Sequence, residues 1–152
     1  MKTTKKYGKK ADLALSLWVK LARAFSTFNK LAQDDIRRYG LTQPQFGVIE
    51  CLGHLGSMSI GQLSKKHLVS GGNMTCVVCH LEKSGLVERV RKSDDRRAVV
   101  VQLTEKGVRM FHEIFVEHAR YITRIASILS GKEQEELSQL LKKLGLGLRG
   151  HA

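Results

Sequence analysis

The chain has 152 residues, of which 42% are hydrophobic, so it is one domain's worth and can bury a core without disulfide or metal staples. With 26 Lys and Arg against 14 Asp and Glu, its formal charge is +12, a surplus that favours a polyanionic partner, nucleic acid ahead of an anionic membrane surface. No apolar run approaches the roughly 18–20 residues of a membrane span, the basic stretch Met1 to Lys10 has no signal-peptide core behind it, and three cysteines are an odd number for a secreted disulfide framework. A cytoplasmic location, with no membrane partner, is the expectation.

Lys2, Lys5, Lys6, Lys9 and Lys10 form a basic arm over residues 1–10. Leu13, Trp18, Leu21, Phe25, Phe28, Leu31 and Ile36 then recur at helical spacing, which predicts a long amphipathic helix over about 11–39, stopped by Gly40. Thr42-Gln43-Pro44-Gln45 matches a capping box, with proline in the first turn where its missing N–H costs least. A second helix is therefore predicted from Gln43 to Leu55, ended by Gly56. Ser59-Ile60-Gly61-Gln62 repeats the box and opens a short third helix to about Leu68. Ser70 caps a fourth, over 71–84, which Gly85 ends.

The pattern changes at Leu86. Leu86 to Arg91 alternates and is β-prone, and Ala98 to Leu103 holds three consecutive valines, with the charged turn Lys92-Ser93-Asp94-Asp95-Arg96-Arg97 between them. This predicts a β-hairpin. Thr104 caps a long fifth helix carrying Val108, Phe111, Ile114, Phe115, His118, Ile122, Ile125 and Leu129 on one face. Ser130-Gly131-Lys132-Glu133 is a third capping box and opens a last helix with Leu137, Leu140, Leu141 and Leu144.

Two short helices joined by a tight turn and followed by a hairpin make a winged helix-turn-helix. Its second helix fits a major groove, about 12 Å wide, while the hairpin tip reaches the neighbouring backbone or minor groove. The fourth helix has the faces this requires. Met74, Val77, Val78 and Leu81 make a buried stripe. The opposite side holds Gly72, Cys76, Cys79, His80 and Lys83, with Asn73 at its margin, and no carboxylate. Ser70 and Gly71 stand at the helix start, where free N–H groups and the dipole favour a phosphate. Residues 59–103 carry eight Lys or Arg and four acids, so positive charge is present on the proposed reader without being confined to it.

Cys76-Val77-Val78-Cys79-His80 spells the C-x-x-C-H of c-type haem attachment. Haem attachment normally needs export, and a haem would cover the face proposed for DNA, so that reading is set aside. Metal binding by Cys76, Cys79 and His80 lacks an evident fourth ligand. Redox or electrophile sensing by Cys76 and Cys79 is the sharper alternative, because a helix N-terminal half and basic neighbours favour thiolate chemistry. The simplest reading is that both are inert small residues. Cys51 is expected in the core of the second helix. No nucleophile elbow, phosphate loop or H-E-x-x-H is present, and nothing in the sequence asks for catalysis or a cofactor.

Five segments in order resemble the MarR family: Leu41-Thr42-Gln43-Pro44-Gln45-Phe46, Ser59-Ile60-Gly61-Gln62-Leu63, Leu81-Glu82-Lys83-Ser84-Gly85-Leu86-Val87, Asp94-Asp95-Arg96-Arg97-Ala98 and Leu103-Thr104-Glu105-Lys106-Gly107. The resemblance covers roughly residues 11–145. It implies a mainly α fold with a small β-hairpin wing, a single domain over 11–150. A dimerisation lobe (11–40 and 108–148) would flank a winged helix-turn-helix lobe (41–107). It further implies a homodimer on double-stranded DNA, straddling a pseudopalindromic operator with half-sites about one helical turn apart.

In that reading Arg96 is the wing arginine entering the minor groove, oriented by Asp94, while Arg97 binds phosphate or braces the wing; Arg91 joins them. Many family members carry a long polar or basic side chain at the position of Cys76, so base contacts here lean on Asn73, Thr75 and His80. The family also implies a repressor released by a small phenolic or aromatic effector. Trp18, Phe25, Phe46, His54, Phe111 and Phe115 are candidates to line the crevice, each of them also an ordinary core residue by type. The alternatives are a metal- or haem-binding protein using Cys76, Cys79 and His80, and an architectural DNA binder with no effector.

Overall fold

The structure, a computed structural model, describes residues 7–67, 71–91 and 99–148. The elements run α1 (Lys9–Arg37), α2 (Gln43–Leu55), α3 (Ile60–His67), α4 (Gly71–Lys83), β1 (Val87–Arg91), β2 (Val99–Leu103), α5 (Glu105–Ala126) and α6 (Gly131–Leu148). They divide between two compact units, Met1–Val116 and Glu117–Ala152, and α5 contributes to both. Helix α1 begins two residues before the predicted start and takes in Lys9 and Lys10.

The predicted capping boxes decide where three helices begin. At α2 the Thr42 N–H donates to Gln45 Oε1 at 2.8 Å, and the Gln45 N–H donates back to Thr42 Oγ1 at 3.4 Å. Ser59 and Gln62 repeat the exchange at α3, at 2.8 and 3.2 Å. Ser130 and Glu133 do so at α6, at 2.8 and 3.4 Å. Each box satisfies two backbone N–H groups that a helix start leaves without intrahelical partners. Glycine ends α4. Gly85 adopts φ +70°, and the Leu86 N–H then reaches the Leu81 carbonyl at 3.0 Å, a turn geometry that an L side chain resists.

β1 and β2 pair antiparallel in the register Val87↔Leu103, Glu88↔Gln102, Arg89↔Val101, Val90↔Val100 and Arg91↔Val99. The sheet has an attachment that the sequence did not announce. Met58, between α2 and α3, exchanges both backbone bonds with Val101, Met58 N–H to Val101 O at 3.0 Å and Val101 N–H to Met58 O at 2.8 Å. The wing is thereby fastened to the start of the helix-turn-helix.

One apolar cluster joins the end of α1 (Ile36), α2 (Phe46, Val48, Ile49, Leu52), α3 (Leu63), α4 (Met74, Val78, Leu81), the wing (Leu86, Val87, Val101) and the first half of α5 (Phe111, Ile114). Cys51 is half-buried against this cluster, with Sγ 3.4 Å from Nε2 of His67. Burial raises its thiol pKa, reinforced by the charge of Glu50 and opposed by Lys66. Other apolar side chains are exposed among the described residues. Leu13, Leu17, Trp18 and Phe25 of α1 are exposed, and α6 buries no residue, although Leu137, Leu140, Leu141 and Leu144 recur along it at helical spacing.

Candidate nucleic-acid interface

Helix α4 is anchored by one side. Met74 and Val78 are fully buried and Leu81 nearly so, with Val77 half-buried beside them, so the predicted stripe faces the core. That anchoring turns the other side outward: Gly72, Asn73, Thr75, Cys76, His80 and Lys83 are all exposed. The Thr75 hydroxyl donates to the Gly71 carbonyl at 2.9 Å, which leaves its oxygen lone pairs available as acceptors. Cys76 Sγ lies 3.7 Å from His80 Nδ1, the bond direction depending on the imidazole tautomer, so these two side chains form one small polar group on the exposed face.

The single acid of α4, Glu82, does not oppose a phosphate backbone alone. Its carboxylate takes Nη1 of Arg89 from strand β1 at 3.3 Å, and Nη2 of the same guanidinium donates to Cys79 Sγ at 3.2 Å. The bond to Cys79 favours the charged guanidinium and raises the Arg89 pKa, with burial opposing and Glu82 assisting. The C-x-x-C-H cluster is thus divided. Cys79 is half-buried and turned to Arg89, while Cys76 and His80 face solvent. Among the described residues, no group of three or more His, Cys, Asp or Glu is placed to hold a metal ion.

The base of the wing is clamped from α5. The Thr104 hydroxyl donates to the Gly85 carbonyl at 2.7 Å, Lys106 Nζ to the Ser84 carbonyl at 2.8 Å, and the Thr104 N–H to the Leu86 carbonyl at 3.1 Å. Three carbonyls leaving α4 are therefore satisfied by the residues that start α5. On the wing Glu88 accepts from the Gln102 amide at 2.9 Å, and Arg91 stands exposed on the last described rung, opposite Val99. Ser70, Asp94, Arg96 and Arg97, all expected at the interface, lie outside the described residues.

Residues 41–99 match the MarR family. The HTH-type transcriptional regulator MhqR of Bacillus subtilis is 35% identical over 138 residues, 91% of this chain and 95% of that protein. The chain belongs to the MarR family. This MarR protein is a DNA-binding transcriptional regulator of the winged helix-turn-helix type, and its fold recurs in solved structures. AbsC, a MarR family transcriptional regulator from Streptomyces coelicolor, superposes with a TM-score of 0.82 at 20% identity, over 95% of this chain and 99% of its own. BpsR of Bordetella bronchiseptica, whose DNA binding is regulated by 6-hydroxynicotinic acid, superposes with a TM-score of 0.74 at 27% identity, over 86% of this chain and 98% of its own. No helix among the described residues is long and apolar enough to cross a membrane.

Of the candidate effector-lining residues, the structure gathers four. Phe46, Phe111 and Phe115 line an apolar pocket with Leu41, Ile49, Glu50 and Ile114, and this pocket has no room for a water molecule. His54 stands edge-on to the two α5 rings, 5.0 Å from Phe111 and 4.4 Å from Phe115 between ring centres. Trp18 and Phe25 do not line it; both are exposed on α1.

The role of Arg89 was missed by sequence reasoning, which counted it only as charge. No spacing rule links a strand residue to a helix residue across a turn. The one available signal is compositional, a lone carboxylate on an otherwise acid-free helix followed by an arginine on the next strand.

Proposed function

We propose that the protein acts as a homodimeric repressor in the cytoplasm, reading a pseudopalindromic operator with α4 in the major groove and the 92–97 turn on the adjacent backbone or minor groove. Gly72, Asn73, Thr75, Cys76, His80 and Lys83 are the contacts assigned to α4. Ser70 is assigned a phosphate at its start, and Arg91, Asp94, Arg96 and Arg97 the wing contacts. The observation that carries this reading is the polarity of α4: Met74, Val78 and Leu81 fill the core, and the face turned outward has no unpaired carboxylate. The bare apolar residues of α1 and α6 support a second copy as their cover, because amphipathic helices bury their stripes against a partner. The dimerisation lobe is accordingly assigned to residues 11–40 and 108–148, and the reading lobe to 41–107.

Release by a small phenolic or aromatic effector is favoured by the ring cluster of His54, Phe111 and Phe115 and by the regulation of BpsR's DNA binding by 6-hydroxynicotinic acid. Thiol modification is a second route, favoured by the exposure of Cys76 on the reading face. Sequencing genomic fragments retained by the purified protein, with sedimentation of the free protein, tests the reading. A shared inverted repeat and a dimer are expected; retention without any shared sequence, or a monomer, would overturn it.

A further inference from the structure

We propose that Arg89 is a positioning residue for DNA reading, a strap whose guanidinium ties wing strand β1 to the flank of α4 and fixes the angle between them. The inference rests on the DNA-reading assignment above and adds the element that holds its two halves in register.

The geometry points to a strap rather than a loose surface pair. Cys79 and Glu82 are one turn apart on α4, and the two terminal nitrogens of Arg89 reach one each, at 3.2 and 3.3 Å. A planar guanidinium engaging two acceptors on one helix constrains rotation of the strand about that helix, which a single contact does not. The rung that carries Arg89 is also the best-held rung of the wing. Its partner Val101 is fully buried and exchanges two backbone bonds with Met58, so β1, β2 and the segment before α3 meet there. Arg89 adds α4 as the fourth member. Two residues further on, Arg91 is the last described rung, and in sequence it is followed within six residues by Asp94, Arg96 and Arg97.

The strap stabilises the fold little. Its ion pair is partly exposed, with Arg89 at 31% and Glu82 at 37% side-chain exposure, and such pairs contribute modestly. The hydrophobic core beneath does not depend on it. The consequence of losing it is therefore geometric. The reading helix and the wing would each remain formed, but would meet the duplex with a less defined mutual angle, and binding would have to restore that angle.

The experiment uses the full-length protein and a duplex enriched from genomic fragments by the wild type. Affinity is measured across a salt series for wild type, Arg89→Ala, Arg89→Lys, Cys79→Val and the Arg89→Ala/Cys79→Val double variant, with hydroxyl-radical footprints of each complex. Arg89→Ala is expected to bind about tenfold more weakly, within the range by which residues touching neither site modulate coupling. Its salt slope should be unchanged, and protection should fade beside the wing while persisting under α4. Arg89→Lys should fail to restore binding, since an ammonium cannot span both acceptors. Cys79→Val, which keeps the volume and removes the acceptor, should weaken binding in the same direction, and the double variant should be no weaker than Arg89→Ala alone. The proposal is overturned if Arg89→Ala binds as wild type. It is equally overturned if the salt slope falls by about 0.9 and Arg89→Lys restores affinity, since Arg89 would then be a phosphate contact. Failure of the wild type to enrich any duplex would instead reject the reading on which the strap depends.

Discussion

Gly107→Ala tests whether the wing base is as tightly clamped as its hydrogen bonds imply. Gly107 lies in the first turn of α5, and its N–H donates to the Thr104 hydroxyl at 3.1 Å. A Cβ built there overlaps the Leu86 carbonyl oxygen and comes within 3.1 Å of its carbon and 3.2 Å of Leu103 Cδ2. The obstacle is backbone, already held as acceptor of the Thr104 N–H, so it cannot rotate aside as a flexible side chain would. Two effects compete. Alanine gains up to about 1 kcal/mol in helix propensity over glycine. Forcing a methyl into close-packed structure costs about 1–3 kcal/mol, and the upper end applies where the neighbour is main chain. The clash wins, leaving a net loss of about 1–2 kcal/mol, or a fall in Tm of roughly 2–8 °C for a chain of this size. Gly61 in α3 is the control, since a Cβ there meets only Ser59 Oγ at 3.9 Å, so Gly61→Ala should be neutral or stabilising. Thermal melts at one fixed protein concentration decide the matter. A midpoint for Gly107→Ala at or above wild type would refute the clamp.

Three further outcomes are expected. Arg96→Ala should weaken operator binding in a gel-shift titration while sedimentation shows the dimer intact; unchanged affinity would remove the wing from the mechanism. Glu133 has a lowered pKa because Ser130 donates to its carboxylate from both hydroxyl and backbone. Its contribution is therefore present above the ordinary carboxylate pKa and disappears as pH falls through the lowered value. The Tm difference between wild type and Glu133→Gln should shrink towards zero on acidification, and a difference that grows would contradict the assignment. Timed alkylation with iodoacetamide and peptide mapping should label exposed Cys76 before Cys51, whose thiol is half-buried and raised in pKa; the reverse order would show that α2 opens from the core.

What was legible in the sequence was local. Thr42/Gln45, Ser59/Gln62 and Ser130/Glu133 are side chain to backbone exchanges spanning three residues, so the order of residue types determines them and the helix starts follow. The buried stripe of α4 was legible for a related reason, because a 3.6-residue period places Met74, Val78 and Leu81 on one side whatever lies opposite. The Met58 bridge and the Arg89 strap were not legible, because one joins residues across two helices and a strand, the other across a turn, and neither leaves a periodic trace. The long stripe of α1 was read correctly as apolar, but a period cannot say what covers it. Trp18 and Phe25 have the same pattern whether the cover is the chain itself, an effector or a second copy, and within the chain they are exposed.

The closed aromatic pocket constrains how an effector lodged in it would work. Because the space among Phe46, Phe111 and Phe115 does not admit a water molecule, an aromatic molecule that used this pocket would enter only a conformation in which those rings have separated. Phe111 and Phe115 stack at 5.5 Å and His54 packs edge-on to both, contacts individually worth about 0.5–1.5 kcal/mol between aromatic rings. Opening forfeits several of them at once, so the open state is a minority one, and the apparent affinity of a ligand is reduced by the fraction open. The same requirement gives the ligand its leverage. Phe46 sits on α2, the first helix of the reading unit, and Phe111 and Phe115 sit on α5, the helix whose first residues clamp the wing. A molecule that binds only when those rings part shifts the protein towards arrangements in which α2 and α5 have separated at Phe46, Phe111 and Phe115, whereas one that binds open and closed forms equally changes nothing at the DNA, however tightly it binds.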